Sequence, residues 1–175
     1  MALGIYAVAT GAEGERSLRF KPPQAYPVET GRETRVTEGE SPHSALSAEA
    51  ALAAARAVAA QIKGAEVLTV MPTGSMRPMF DERAFIVVEP TPFEELKVGD
   101  IITYAHPELH VLVVHRILEK MRGGYWTKGD HNERPDDVYV TRKNYMKRVF
   151  AIIYARENGR NVDRIAAMRL PKLNQ

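Results

Sequence analysis

From residue 65 onward the sequence breaks into short apolar stretches that a sheet can use. Seven of them, Glu66–Met71, Ala84–Glu89, Asp100–Ala105, Val111–Glu119, Gly124–Lys128, Val138–Thr141 and Lys147–Ala155, are β-branched or aromatic in character. Turn chemistry separates them: Asp81-Glu82, Thr91-Pro92, Val98-Gly99-Asp100, His106-Pro107 and Gly123-Gly124. Seven strands within roughly 90 residues predict a mainly β fold, a sandwich or a partly open barrel.

The flanks read differently. Residues 1–43 are interrupted by Pro22-Pro23, Pro27, Gly31, Gly39 and Pro42 and carry little apolar surface, so they read as an extended N-terminal arm. Within it, Leu3–Val8 has the composition of one short strand. Residues 44–63 read as an alanine-rich helix, capped by Ser44 or Ser47 and ended by Lys63-Gly64. Its expected buried face holds Leu46, Ala50, Ala53, Ala57 and Val58. Residues 64–156 form the β domain, and 157–175 a short C-terminal helix and tail. An arm of this kind, costly to order alone, is expected to pack extended against another subunit or a larger assembly.

Several functional classes are excluded or disfavoured. The sequence has no cysteine, so disulfides, thiolate metal sites and cysteine nucleophiles are ruled out. A near balance of 24 basic and 22 acidic residues gives no reason to expect nucleic acid as a partner. No stretch offers the about 20 mainly apolar residues of a membrane span. Residues 45–62 contain Glu49 and Arg56, and Met1–Thr10 lacks the basic start of a secretory signal. The reading is a soluble protein without a membrane anchor, cytoplasmic or bound to a particle or assembly.

Three places carry chemistry. Ser75 follows the first strand in Pro72-Thr73-Gly74-Ser75-Met76-Arg77-Pro78, a tight bend that can present a hydroxyl and free nearby backbone N–H groups. It can equally be an ordinary strand-ending turn. His115 is embedded in the apolar run Val111–Leu118, where an imidazole must find local partners or have a task. Of the other histidines, His43, His106 and His131 sit in polar or turn-like segments and read as solvated, and His110, at a strand start, is left open. The loop from Lys128 to Asp137 holds Asp130, Asp136 and Asp137, any of which can orient an imidazole. Metal binding by Asp130, Asn132 and Asp136 is the competing use. The glycine and closing glutamate of a calcium loop are missing, however, and no metal is expected.

Taken in order, Gly74-Ser75-Met76-x-Pro78, Val98-Gly99-Asp100-Ile101-Ile102-x-Tyr104, Val114-His115-Arg116-Ile117 and Lys128-Gly129-Asp130-x-Asn132 resemble the type I signal peptidases. The branch resembled is the Ser-His-Asp one found in archaea and the endoplasmic reticulum. The bacterial housekeeping branch and the related LexA-type peptidases have a Lys-Arg pair where this chain has His115-Arg116. The resemblance covers residues 69–156. It departs at Phe80-Asp81-Glu82-Arg83, where the family has Gly-Asp, and in an aspartate loop one residue longer.

That resemblance implies the coiled β-sheet of the family and a serine endopeptidase needing no cofactor. Ser75 is then the nucleophile and His115 the general base. Thr73 supplies an oxyanion-hole hydroxyl beside the Ser75 N–H. Asp136 is expected to orient His115, with Asp130 bracing the site and Asp137 as the remaining candidate. The substrate class is a protein or peptide, such as an assembly or regulatory protein. The alternative reading is a structural or interaction protein of a larger assembly, such as a phage particle, that reuses the fold.

Overall fold

A computed structural model describes residues 39–156 and the backbone of Ala7–Val8. Its elements are β1 (Ala7–Val8), α1 (Ala48–Ala59), β2 (Glu66–Thr69), β3 (Ala84–Glu89), a 3₁₀ turn at Phe93–Glu95, β4 (Ile101–Ala105), β5 (Val111–Met121), β6 (Gly124–Lys128) and β7 (Tyr145–Tyr154). All pairings are antiparallel, in the order β1-β5-β4-β7-β3-β2, with β6 also on β5. The mainly β expectation holds.

Strand β3 explains the architecture. Residues Ala84 to Val88 are all buried, an unbroken apolar run and not an alternating one, because both of its faces are covered. On one face Ile86 and Val88 meet Val70, Met76, Phe80, Ile101 and Val114, so the segment after β2 lies across the sheet. On the other, Phe85 and Val87 meet Ala48, Ala51 and Ala55 of α1. A third cluster, Leu96, Ile102, Tyr104, Val113, Ile117, Tyr125 and Val140, fills the space around β4, β5 and β6.

The helix is shorter than the sequence suggested and turned differently. Ser47 is the cap, its Oγ accepting from the Ala50 N–H, and Gly64 follows in a left-handed conformation (φ 78°). The face that packs is Ala48, Ala51 and Ala55 with Leu52 and Val58, whereas Leu46, Ala50, Ala53 and Ala57 are exposed. In an alanine-rich helix the apolar period is nearly flat, so the small residues alone do not reveal the side on which Leu52 and Val58 find a partner.

Strand β2 ends at Thr69 and not Met71, β5 runs on to Met121, and two further strand expectations are corrected. Val138–Thr141 is not a strand: only Val140 pairs, with Tyr125, before Asn144 Oδ1 accepts the Thr141 N–H and turns the chain into β7. Strand β7 starts at Tyr145 and contains two extra residues, Met146 opposite the Thr103/Tyr104 step and Phe150 opposite Val87/Val88. These bulges bend the strand and turn both large side chains outward, which accounts for their exposure of 46% and 51%. Of the arm, Ala7 and Val8 pair with Leu112 and Val111 of the same chain. The rest of residues 1–38, the expected contact with another subunit and the expected C-terminal helix lie outside the described residues. Among the described residues no helix is long and apolar enough to cross a membrane.

Candidate active site

The bend after β2 is built around Gly74 and two anchors. Gly74 takes φ 72°, a conformation that side chains disfavour. Met76 and Phe80, both wholly buried, fasten the following turn into the core, while the Arg77 N–H bonds Gly74 O and the Phe80 N–H bonds Met76 O. Ser75, 3% exposed, is thereby held between fixed neighbours. Its own carbonyl accepts the His131 N–H at 2.8 Å, so the loop after β6 closes over it. Gly129 permits that approach: a Cβ there would lie 2.6 Å from the Ser75 carbonyl oxygen. Gly129→Ala is therefore expected to push the loop off Ser75 and lower stability by about 1–3 kcal/mol. A chemical denaturation curve matching that of the parent protein would contradict this packing.

Strand β5 delivers the imidazole. His115 pairs with Ile102 of β4, is 2% exposed, and its Nε2 lies 3.0 Å from Ser75 Oγ. On the other side of the ring, Nδ1 lies 2.7 and 2.9 Å from the two oxygens of Asp136. Of the three aspartates considered, Asp136 is the one that meets His115. Tyr104 Oη donates to Asp136 Oδ2 at 2.9 Å and Thr127 Oγ1 donates at 2.7 Å. Burial opposes ionisation of Asp136. The hydrogen bond and charge of His115, with the Thr127 and Tyr104 hydroxyls, outweigh it and hold the carboxyl below its ordinary range. An ionised carboxylate only accepts, so Nδ1 donates; in the neutral ring Nε2 then accepts the Ser75 hydroxyl proton. Burial, followed by the adjacent Asp136 charge, pushes the Tyr104 phenol far up, so it stays a donor.

This arrangement sets the acid response. Asp136 and Asp81, the latter held by Arg83 at 2.7 Å, both sit below their ordinary values in the folded protein. A depressed folded value stabilises above the unfolded value, near about 4, and that contribution disappears as pH falls through the folded one. The stability gap between the parent and Asp136→Asn should therefore hold at neutral pH and narrow as the pH falls below about 5 in urea titrations. A gap that is constant with pH would contradict it.

The remaining candidates fall elsewhere. Asp130 forms a two-pronged ion pair with Arg116 (2.7 and 2.8 Å), and Arg116 Nη1 also donates to Gly99 O. It thus ties the loop to β5 one residue from His115. Asp137 has a side chain 90% exposed and faces His106 Nε2 at 3.5 Å. Thr73 lies exposed on the same turn as Ser75. His43 and His131 are exposed, but His106 is buried, contrary to its turn-like sequence setting. Its Nδ1 accepts the Glu108 and Leu109 N–H groups, so the ring closes the turn that begins at Pro107. Sequence reasoning did not single out Tyr104, Thr127 or Gly129. Tyr104 and Gly129 stand inside the quoted motifs, and Thr127 immediately precedes the last of them.

With this geometry in view, the chain can be compared with known proteins. It is 32% identical over 84 residues to the signal peptidase complex catalytic subunit SEC11 of Clavispora lusitaniae, covering 45% of this chain and 50% of that protein. The subunits of the same name from Metarhizium acridum and Sclerotinia sclerotiorum are 30% and 31% identical over 87 residues, covering 46% of this chain and 51% of each protein. The chain is related to the type I signal peptidases of the endoplasmic-reticulum type. It spans about half the length of the curated relatives it matches. No protein-family profile matches it.

Proposed function

We propose that this chain is a serine endopeptidase of the signal-peptidase kind, with Ser75 as nucleophile, His115 as general base and Asp136 as the group that orients it. The observation that carries the reading is the continuous line from Ser75 Oγ through the His115 ring to Asp136, at 3.0 and 2.7 Å. Kinship with signal peptidase catalytic subunits supports the same reading.

The mechanism follows from the atoms. His115 Nε2 takes the Ser75 proton as Oγ attacks the scissile carbonyl, and Asp136 stabilises the imidazolium that forms. The oxyanion is received by the Ser75 N–H and the Thr73 hydroxyl, an effect worth about 3–4 kcal/mol per donor in comparable sites. The imidazolium then protonates the leaving amine, and water, activated by the same base, hydrolyses the acyl-enzyme. Asp130 acts at one remove, bracing the loop through Arg116. The substrate is a protein or peptide segment.

The deciding experiment compares protein N-termini across the proteome of the native host with the parent gene and with Ser75→Ala. New N-termini that require Ser75 name the substrate and the bond cut. Identical sets, with both proteins expressed and folded, would overturn the reading and leave a structural role in a larger assembly.

A further inference from the structure

Lys128 is a buried cation that the proposed chemistry does not use. It is the last residue of β6, pairs across the sheet with Arg116, and is 8% exposed. Arg116 has Asp130 for a counter-ion. Lys128 has none: among the described residues no carboxylate lies within 4.0 Å of its Nζ, which instead donates to the Asn132 backbone carbonyl at 2.6 Å. A buried ammonium without a counter-ion is costly, and a sheet of this kind can place an apolar residue at such a position without penalty.

What the ammonium holds is specific. The Lys128 contact spans the turn Gly129–Asn132, which is also closed by the Asn132 N–H on Gly129 O at 2.9 Å. Inside that turn the His131 N–H grips the Ser75 carbonyl at 2.8 Å, and the Gly129 backbone packs directly against the same oxygen. The turn therefore has one hold on Ser75 and one on Arg116 through Asp130, and Lys128 draws its two ends together. Three consecutive residues, Lys128, Gly129 and Asp130, secure the turn by three different means: a charge on a carbonyl, a missing side chain and an ion pair.

We infer that Lys128 is a positioning residue for Ser75, a cationic latch that keeps the Gly129–Asn132 turn closed on the Ser75 backbone. Its Nζ bonds the Asn132 carbonyl and neither Ser75 nor His115, and it acts through the His131 N–H. This role rests on the catalytic reading for its effect on rate, but not for its effect on structure, and the test separates the two.

The experiment uses the full chain with Lys128→Met, which keeps the stem and removes the donor, and Lys128→Arg, which keeps a cation. Amide hydrogen exchange at His131 is measured beside amides of β3 as an internal reference. Lys128→Met is expected to speed His131 exchange by about tenfold or more, the scale of one charged hydrogen bond, with β3 unchanged. Lys128→Arg should restore most of the protection. On a peptide substrate, Lys128→Met should lower kcat by about tenfold or more while KM moves by less than about threefold. Unchanged His131 exchange in folded Lys128→Met overturns the latch. If Lys128→Met does not fold, Lys128→Gln, which keeps a neutral donor, takes its place with the same readout. If exchange rises as expected but even the parent cleaves no substrate, the latch stands and the peptidase reading falls.

Discussion

Ser75→Ala is expected to reduce cleavage of a substrate peptide by about ten-thousandfold or more, with the fold intact. The substitution removes one oxygen from a bend whose shape is set by Gly74 and by the buried Met76 and Phe80, none of which depends on the hydroxyl. His115→Ala should cost a similar factor in rate. It should also cost stability, by about 1–3 kcal/mol, because it leaves the Asp136 carboxylate buried without the Nδ1–H donor. Since both residues serve one proton transfer in the proposed mechanism, the double variant should be no slower than the worse single one. Rates from single turnovers, read beside urea denaturation of each variant, check the three together. Undiminished cleavage by folded Ser75→Ala would end the assignment.

Asp136→Asn should be nearly as damaging, slowing the reaction by about a thousandfold or more, for a reason visible in the hydrogen bonds. Three donors converge on this carboxylate: His115 Nδ1, Tyr104 Oη and Thr127 Oγ1. An amide keeps one oxygen and offers an NH₂ that must donate. If that NH₂ faces His115, the ring adopts the tautomer with its proton on Nε2, and Ser75 loses its acceptor. If it takes the place of Oδ2, which Thr127 and Tyr104 share with His115, those two hydroxyls must also turn round to accept. Either choice leaves a conflict in a side chain only 8% exposed, so a stability loss of about 1–3 kcal/mol should accompany the rate loss. Nitrogen NMR of the His115 ring reads the tautomer directly. A parent-like Nδ1–H signal together with a large rate loss would mean that Asp136 acts other than by orienting the ring.

The sequence made some of this visible and hid the rest for identifiable reasons. Strands β3 to β7 are short, β-branched and fenced by turns, so their existence could be read. The ends of β3 and β6 could be read as well, but not those of β7, where the bulges at Met146 and Phe150 shift the pairing without marking the composition. Ser75 and His115 stood out because each is at odds with its surroundings, a hydroxyl in a Gly-Pro bend and an imidazole in an apolar strand. Asp136 could be ranked among three aspartates only by resemblance, since a polar loop carries no period to say which carboxylate turns inward. Tyr104 and Thr127 were hidden for the opposite reason: both have ordinary residue types for strands, and their polar tips matter only once Asp136 is beside them. His106 misled because Pro107 announces a turn but not that the ring before it folds under.

The pairing of Ile102 with His115 and of Ile101 with Arg116 means that two neighbours on β5 are sent to opposite sides of the sheet, one to Ser75 and one to Asp130. Which of them meets the serine is decided only by even or odd position along the strand. A single-residue insertion between Gly99 and His115 that slid β5 by one place would turn the imidazole to the Asp130 side and set Val114 in its place, leaving the serine without a base. An insertion of two would restore the facing and shift the imidazole along the sheet by nearly 7 Å, about two residue rises. For chains of this kind, length changes in the turn at 106–110 should thus be tolerated only where the turn itself absorbs them, and a point substitution of either neighbour is a milder event than one added residue.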